Sequence, residues 1–191
     1  MTKPSMSTDS ALHDRDRAAA YKALAVAFSY PGEALPAVYP QCADGLSELQ
    51  AAYDRTFRTG NIWLYGAEHS TDNEFQRVEM LADIMGFYNA FGVEPQGDRP
   101  DALCCELEFM HYLIVKRARL GAAGAGGEAG EKAAVCRDAE RKFFTEHLAP
   151  TARSIVAGIL KARPHPFYSE AAEALTTFLD REQAQLVRTA A

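Results

Sequence analysis

Apolar residues recur at helical spacing over most of the chain, and the breaks between periodic stretches fall at glycine, proline and small polar residues. Ala18, Tyr21, Ala25 and Phe28 share one face of a helix predicted over 14–30 and stopped by Pro31 and Gly32. After a short segment over 33–40, Leu46, Leu49, Tyr53 and Phe57 mark a helix over 43–59, with Gly60 as its stop. A loop over 61–70 follows. Thr71 or Asp72 can cap a helix reaching Phe91, with Phe75, Val78, Ile84, Phe87 and Tyr88 as core candidates and Gly92 as terminator.

The next helix is predicted to start at Asp98 and run to about Leu120. Pro100 suits a first turn, where its missing N–H costs nothing, and Asp98 and Asp101 suit the positive end of the helix dipole. Leu103, Leu107, Met110 and Ile114 form an apolar stripe, while Asp101, Cys105, Glu108 and Tyr112 keep the same rhythm on the other side. Five glycines over 121–130 predict a hinge. They follow a helix rather than a strand and lack a Gly-Lys-Ser/Thr ending, which argues against a phosphate cradle. Further helices are expected over 131–147, 150–163 and 167–188, the last through Ala171, Leu175, Phe178, Leu179 and Leu186. No strand alternation and no fixed-period repeat is visible. The expected fold class is all-α: one helical-bundle domain over 14–188, after a flexible 1–13, split by the hinge into a 14–120 part and a 131–188 part.

A chain of 191 residues with 48% hydrophobic residues can bury one substantial core. A net charge of -6 argues against a nucleic-acid surface, which needs clustered Lys and Arg. The acids are concentrated: residues 65–110 hold ten of them against Arg77 and Arg99. Such asymmetry fits a basic partner meeting the middle of the chain, and an acidic face turned only to water fits it equally well. Cys42, Cys104, Cys105 and Cys136 include no Cys-x-x-Cys pair and read as reduced structural thiols. The polar first ten residues lack the apolar core of a secretory signal, and no run approaches the roughly 20 apolar residues of a membrane span, so a cytoplasmic protein is expected.

Glu108 and His111 have the Glu-x-x-His spacing of di-iron bundles, but no second such pair occurs, so a metal-binding protein built on them is the weaker reading and a hydrogen-bonded histidine the stronger. Glu106 and Glu108 project about 200° apart on a helix and cannot act on one bond; as neighbours they also oppose a thiolate at Cys104 or Cys105. No enzymatic activity, metal or cofactor is expected. Tyr53, Phe57, Trp63 and Tyr65, with Glu68 and His69 beside them, flank one loop; such rings are commonly core, and their clustering at a loop fits a binding surface equally well.

Tyr53-Asp-Arg-Thr-Phe57, the Tyr65 to Ser70 loop, Arg99-Pro-Asp-Ala102 leading into Glu106-Leu-Glu-Phe-Met110, Phe144-Thr-Glu-His-Leu-Ala-Pro150 and Phe167-Tyr168 together resemble the TorD/NarJ-type molybdoenzyme maturation chaperones, and are most similar to the nitrate reductase and type II DMSO reductase branch. Ala102 stands where that family carries a histidine, and Thr56 where it carries a leucine. The resemblance implies an all-helical chaperone that binds the twin-arginine leader, the apo form, or both, of a molybdenum catalytic subunit of the DMSO reductase family. It would hold that subunit for cofactor insertion before Tat export, as a monomer or a domain-swapped dimer. Leader-binding residues implied are Tyr53, Phe57, Trp63, Tyr65, Glu68, His69, Asp101, Glu108 and Tyr112. The rival from another class is a helical adaptor for an unrelated protein segment.

Overall fold

The computed structural model describes residues 6–71, 73–124 and 126–190, with side chains over 13–71, 73–124 and 126–186. Helices α1 (Met6–Phe28), α2 (Ala34–Val38), α3 (Leu46–Tyr53), α4 (Ala67–Ser70), α5 (Glu74–Phe91), α6 (Leu103–Ala123), α7 (Gly127–Phe143), α8 (Ala149–Ala162) and α9 (Pro166–Ala190) make up an all-α domain. Among the described residues the only strand-like pairing is one antiparallel bridge between Tyr65 and Ala102. No helix among them is long and apolar enough to cross a membrane.

α6 is the central element, lying along α1 on one side and α7 on the other, with α8 and α9 packed together beyond. The predicted stripe explains its place: Leu103, Leu107, Met110 and Ile114 are all buried, as are Ala18, Tyr21, Ala25 and Phe28 facing them from α1. Each such aliphatic side chain contributes about 1.5–3 kcal/mol on leaving water.

The departures from expectation have identifiable causes. α6 begins at Leu103, not Asp98, because Ala102 is extended and residues 101–103 pair with the 64–66 backbone. Pro100 therefore precedes the helix. α5 is capped by Asn73, whose side chain accepts from the Phe75 N–H at 3.0 Å, while Thr71 stands outside it and Asp72 is outside the described residues. Gly92 ends α5 in the left-handed conformation, φ 69°. Phe75 and Val78, expected in the core, are exposed on the first turns of α5. α1 begins at Met6 rather than residue 14. The glycine-rich stretch is mostly helical: α6 runs on to Ala123, and the break narrows to the residues before Gly127. The helices expected over 131–147 and 150–163 meet without a loop, through a π turn at Phe144–Leu148 that leaves Pro150 in the first turn of α8.

A buried ionic network ties four helices together. Arg17 of α1 makes a two-pronged contact with Glu182 of α9 at 2.8 Å on each prong, and Tyr21 donates to the same carboxylate at 2.9 Å. Arg117 of α6 donates twice to Asp14 of α1 at 2.8 Å and twice to Glu140 of α7 at 2.5 and 3.4 Å. Burial would raise the Asp14 carboxyl, but the Arg117 and Arg17 guanidiniums outweigh it and hold it low; at Glu140 burial wins and the pKa rises.

Candidate functional site

The loop between α3 and α5 is held rigidly by the entry to α6. Gly66 N–H donates to the Asp101 carbonyl and Leu103 N–H to the Leu64 carbonyl, both at 2.8 Å. The Asp101 carboxylate accepts from Ala67 N–H at 3.0 Å and from Arg99 at 3.0 and 2.9 Å. Arg99 also reaches Glu68 at 2.9 Å, and Arg77 reaches the other Glu68 oxygen at 2.9 Å. Gly66 sits close against α8, where a Cβ would approach the Thr151 side chain to 3.2 Å and press it aside.

Next to this clamp in sequence, a groove of about 460 Å³ lies between α1, the segment 93–98 and the first turns of α6. Tyr88, Cys104 and Phe109 are apolar or half-buried lining, while Tyr30 and Tyr112 flank it. Its rim carries Glu94, Asp98 and Glu108, the first two exposed and the third paired with Lys22, both partners about half exposed. Tyr65 stands beside the rim residue Asp98; burial first, then the Asp98 charge, raises its pKa. The Arg99 guanidinium lies 4.5 Å from the centre of the Tyr65 ring.

The nine residues singled out by sequence separate into four groups. Glu108 and Tyr112 line the groove, and Tyr65 interacts with its rim residue Asp98 without lining it. Tyr53 and Phe57 are buried beneath it: Tyr53 packs edge-on against Tyr30 at 5.3 Å and Phe57 against Tyr168 at 5.1 Å. Glu68 and Asp101 are spent in the clamp, and Asp101 has no exposed surface, so the expected offer of its charge to a ligand is not available in this conformation. Trp63 is 46% exposed on the outer side of the loop, where His69 Nε2 donates to its carbonyl at 2.7 Å. Sequence reading missed Tyr30, Lys22 and Glu94. Tyr30 is 42% exposed beneath the Arg58 guanidinium, which lies 4.2 Å above its ring, and its position just before Pro31 offered no periodic signal.

Neither Glu108 nor His111 is arranged for metal. Glu108 turns to Lys22, and His111 Nδ1 donates to the Ala18 carbonyl at 2.8 Å. Cys104 and Cys105 are free thiols sharing a hydrogen bond; that bond pulls Cys104 below the usual thiol range despite burial, and together with burial it pushes Cys105 up. Glu106 lies outside the groove with neither carboxyl oxygen hydrogen-bonded. Burial first, then the Asp101 charge, pushes its pKa well above the carboxylate range.

An all-helical frame bearing an acid-rimmed groove lined by rings defines a helical binding protein. Over residues 14–156 the chain matches the family described as nitrate reductase delta subunit, and it belongs to that family. These are maturation chaperones of molybdoenzymes, not enzymes, and they work with the molybdenum catalytic subunit of nitrate reductase. Comparison with curated proteins and with solved structures gives no match.

Proposed function

We propose that this chain binds the twin-arginine leader of a molybdenum catalytic subunit of the DMSO reductase family in the cytoplasm. It holds the apoenzyme for cofactor insertion before Tat export. The observation that carries the reading is the groove, whose acidic rim stands over aromatic lining. A leader has a cationic end and an apolar, helical body, and the two meet complementary surfaces here. The Lys22–Glu108 pair supplies the entry step: it is half exposed and therefore weak, so a leader arginine, with its planar two-pronged donor, displaces the lysine from Glu108. Asp98, beside Tyr65, and Glu94 take the second arginine. Exposed Phe75 and Val78 on α5 offer a separate apolar contact for the folded part of the client.

Calorimetry with a synthetic leader peptide at low salt tests the assignment. Glu94→Gln with Asp98→Asn is expected to weaken binding about tenfold and flatten its salt dependence. Lys22→Ala is expected to strengthen it by freeing Glu108. Equal affinity for the wild type and both variants would overturn the groove assignment.

A further inference from the structure

Away from the groove, His147 presents an unusual buried imidazole. It is 5% exposed and lies in the π turn between α7 and α8, with the Phe87 and Phe143 rings 5.5 and 5.4 Å away. Neither ring nitrogen makes a hydrogen bond, although Nε2 lies 2.9 Å from a carboxylate oxygen of Asp83 on α5. The oxygen is near but off the line of an N–H donor. A buried ring nitrogen without a partner costs about 1–3 kcal/mol, so the position calls for an acceptor of its lone pair. Glu146, the adjacent residue on the π turn, brings a second carboxylate, and one donor atom from each of Asp83, Glu146 and His147 lies within 4.8 Å of the others.

We propose that Asp83, Glu146 and His147 form a binding site for a divalent cation of the zinc class. One imidazole nitrogen with two carboxylate oxygens is a borderline N/O donor set that prefers zinc to calcium or magnesium. Donors about 2.0–2.2 Å from a tetrahedral ion sit roughly 3.3–3.6 Å apart, so the 2.9 Å between His147 and Asp83 would open slightly and any separation toward 4.8 Å would close, adjustments within reach of the two exposed carboxylate side chains. The π turn favours this, because its wider winding brings Glu146 and His147 closer in direction than successive residues of an α-helix. The fourth position faces solvent past the two exposed carboxylates. Asp83 precedes the break before Gly127 and the other two ligands follow it, so the ion fastens the two parts of the chain to each other.

The test is zinc titration of the full chain by calorimetry with thermal melts, repeated with cobalt(II). The expected result is one ion per chain, a higher Tm, and cobalt d–d bands without thiolate charge transfer. Asp83→Asn with Glu146→Gln, both exposed, should keep the fold and lose at least about tenfold in affinity together with the Tm rise. Asp83→Asn alone, at a side chain 61% exposed, gives the same reading if the double variant folds poorly. Cys104→Ser with Cys105→Ser should bind as wild type does. Absence of saturable binding, or binding that survives the carboxylate variants and disappears with the cysteines, would overturn the site. Neither result bears on leader affinity, which is measured separately.

Discussion

The two ends of α6 treat buried charge in opposite ways. Near its C-terminal end Arg117 enters a network of two arginines and three acids drawn from four helices, in which every charge has a partner of the other sign. Near its N-terminal end Glu106 is equally buried, and both its oxygens lack a hydrogen bond. The first arrangement keeps its charges because the guanidiniums replace water; the second keeps its place by holding a proton. Burial pushes both Glu106 and Glu140 up, Glu140 against the pull of its arginines, and at Asp14 the guanidiniums outweigh it. Between the two, Asp101 at the foot of α6 stays paired to a partly exposed Arg99, and it fixes the loop at Gly66 and Ala67.

Removing one member of the network should produce the largest effect. Arg17→Ala strands Glu182 and weakens the hold on Asp14, and is expected to cost about 3–5 kcal/mol in urea unfolding. Asp101→Ala frees Ala67 N–H and Arg99 and is expected to cost about 2 kcal/mol. It should also detach the 64–67 backbone, seen as faster amide exchange at Gly66 and Ala67.

Glu106→Gln separates the two ends most cleanly, through pH. Above the ordinary carboxyl value of 4.5 the unfolded chain releases the Glu106 proton while the folded chain retains it. Stability from this group is therefore complete below about pH 4.5 and declines as pH rises toward the raised folded value. The variant should lose that component of the decline, so its advantage over wild type in chemical denaturation grows as pH rises above the ordinary carboxyl value of 4.5. Equal slopes would place a hidden partner at Glu106. The smallest change in stability is expected at the rim: Glu108→Gln should alter it by less than about 0.5 kcal/mol while weakening leader binding, since its partner Lys22 is half exposed.

Much of this was legible from residue order. The stripe from Leu103 to Ile114, the faces of α1 and α9 and the stop at Gly92 follow from local periodicity and glycine geometry. The start of α6 was not legible, because the chemistry of Asp98 and Pro100 suits a cap while the pairing of 101–103 with 64–66 depends on a segment far away in sequence. Phe75 and Val78 have apolar side chains at helical spacing, but spacing cannot say whether a neighbour covers them. Glu106 was legible in principle. It falls three residues after Leu103 and four before Met110, on the core face, and Glu182 stands in the same relation to Leu179 and Leu186. An acid inside an apolar period is the signal; whether it finds an arginine is settled only in three dimensions. The groove itself joins α1 to residues 93–112, so its lining could be guessed only in fragments such as Glu108 and Tyr112.

The network also sets an order of events during synthesis. Asp14 and Arg17 emerge first from the ribosome, Arg117 and Glu140 later, and Glu182, the acid that grips Arg17 on both prongs, comes only with α9. A nascent chain that has made α1 through α7 carries Arg17 with its principal counter-charge still untranslated. The bundle therefore stays unlatched until α9 arrives, and a prematurely terminated product should be cleared by proteases rather than accumulate as a competitor for clients.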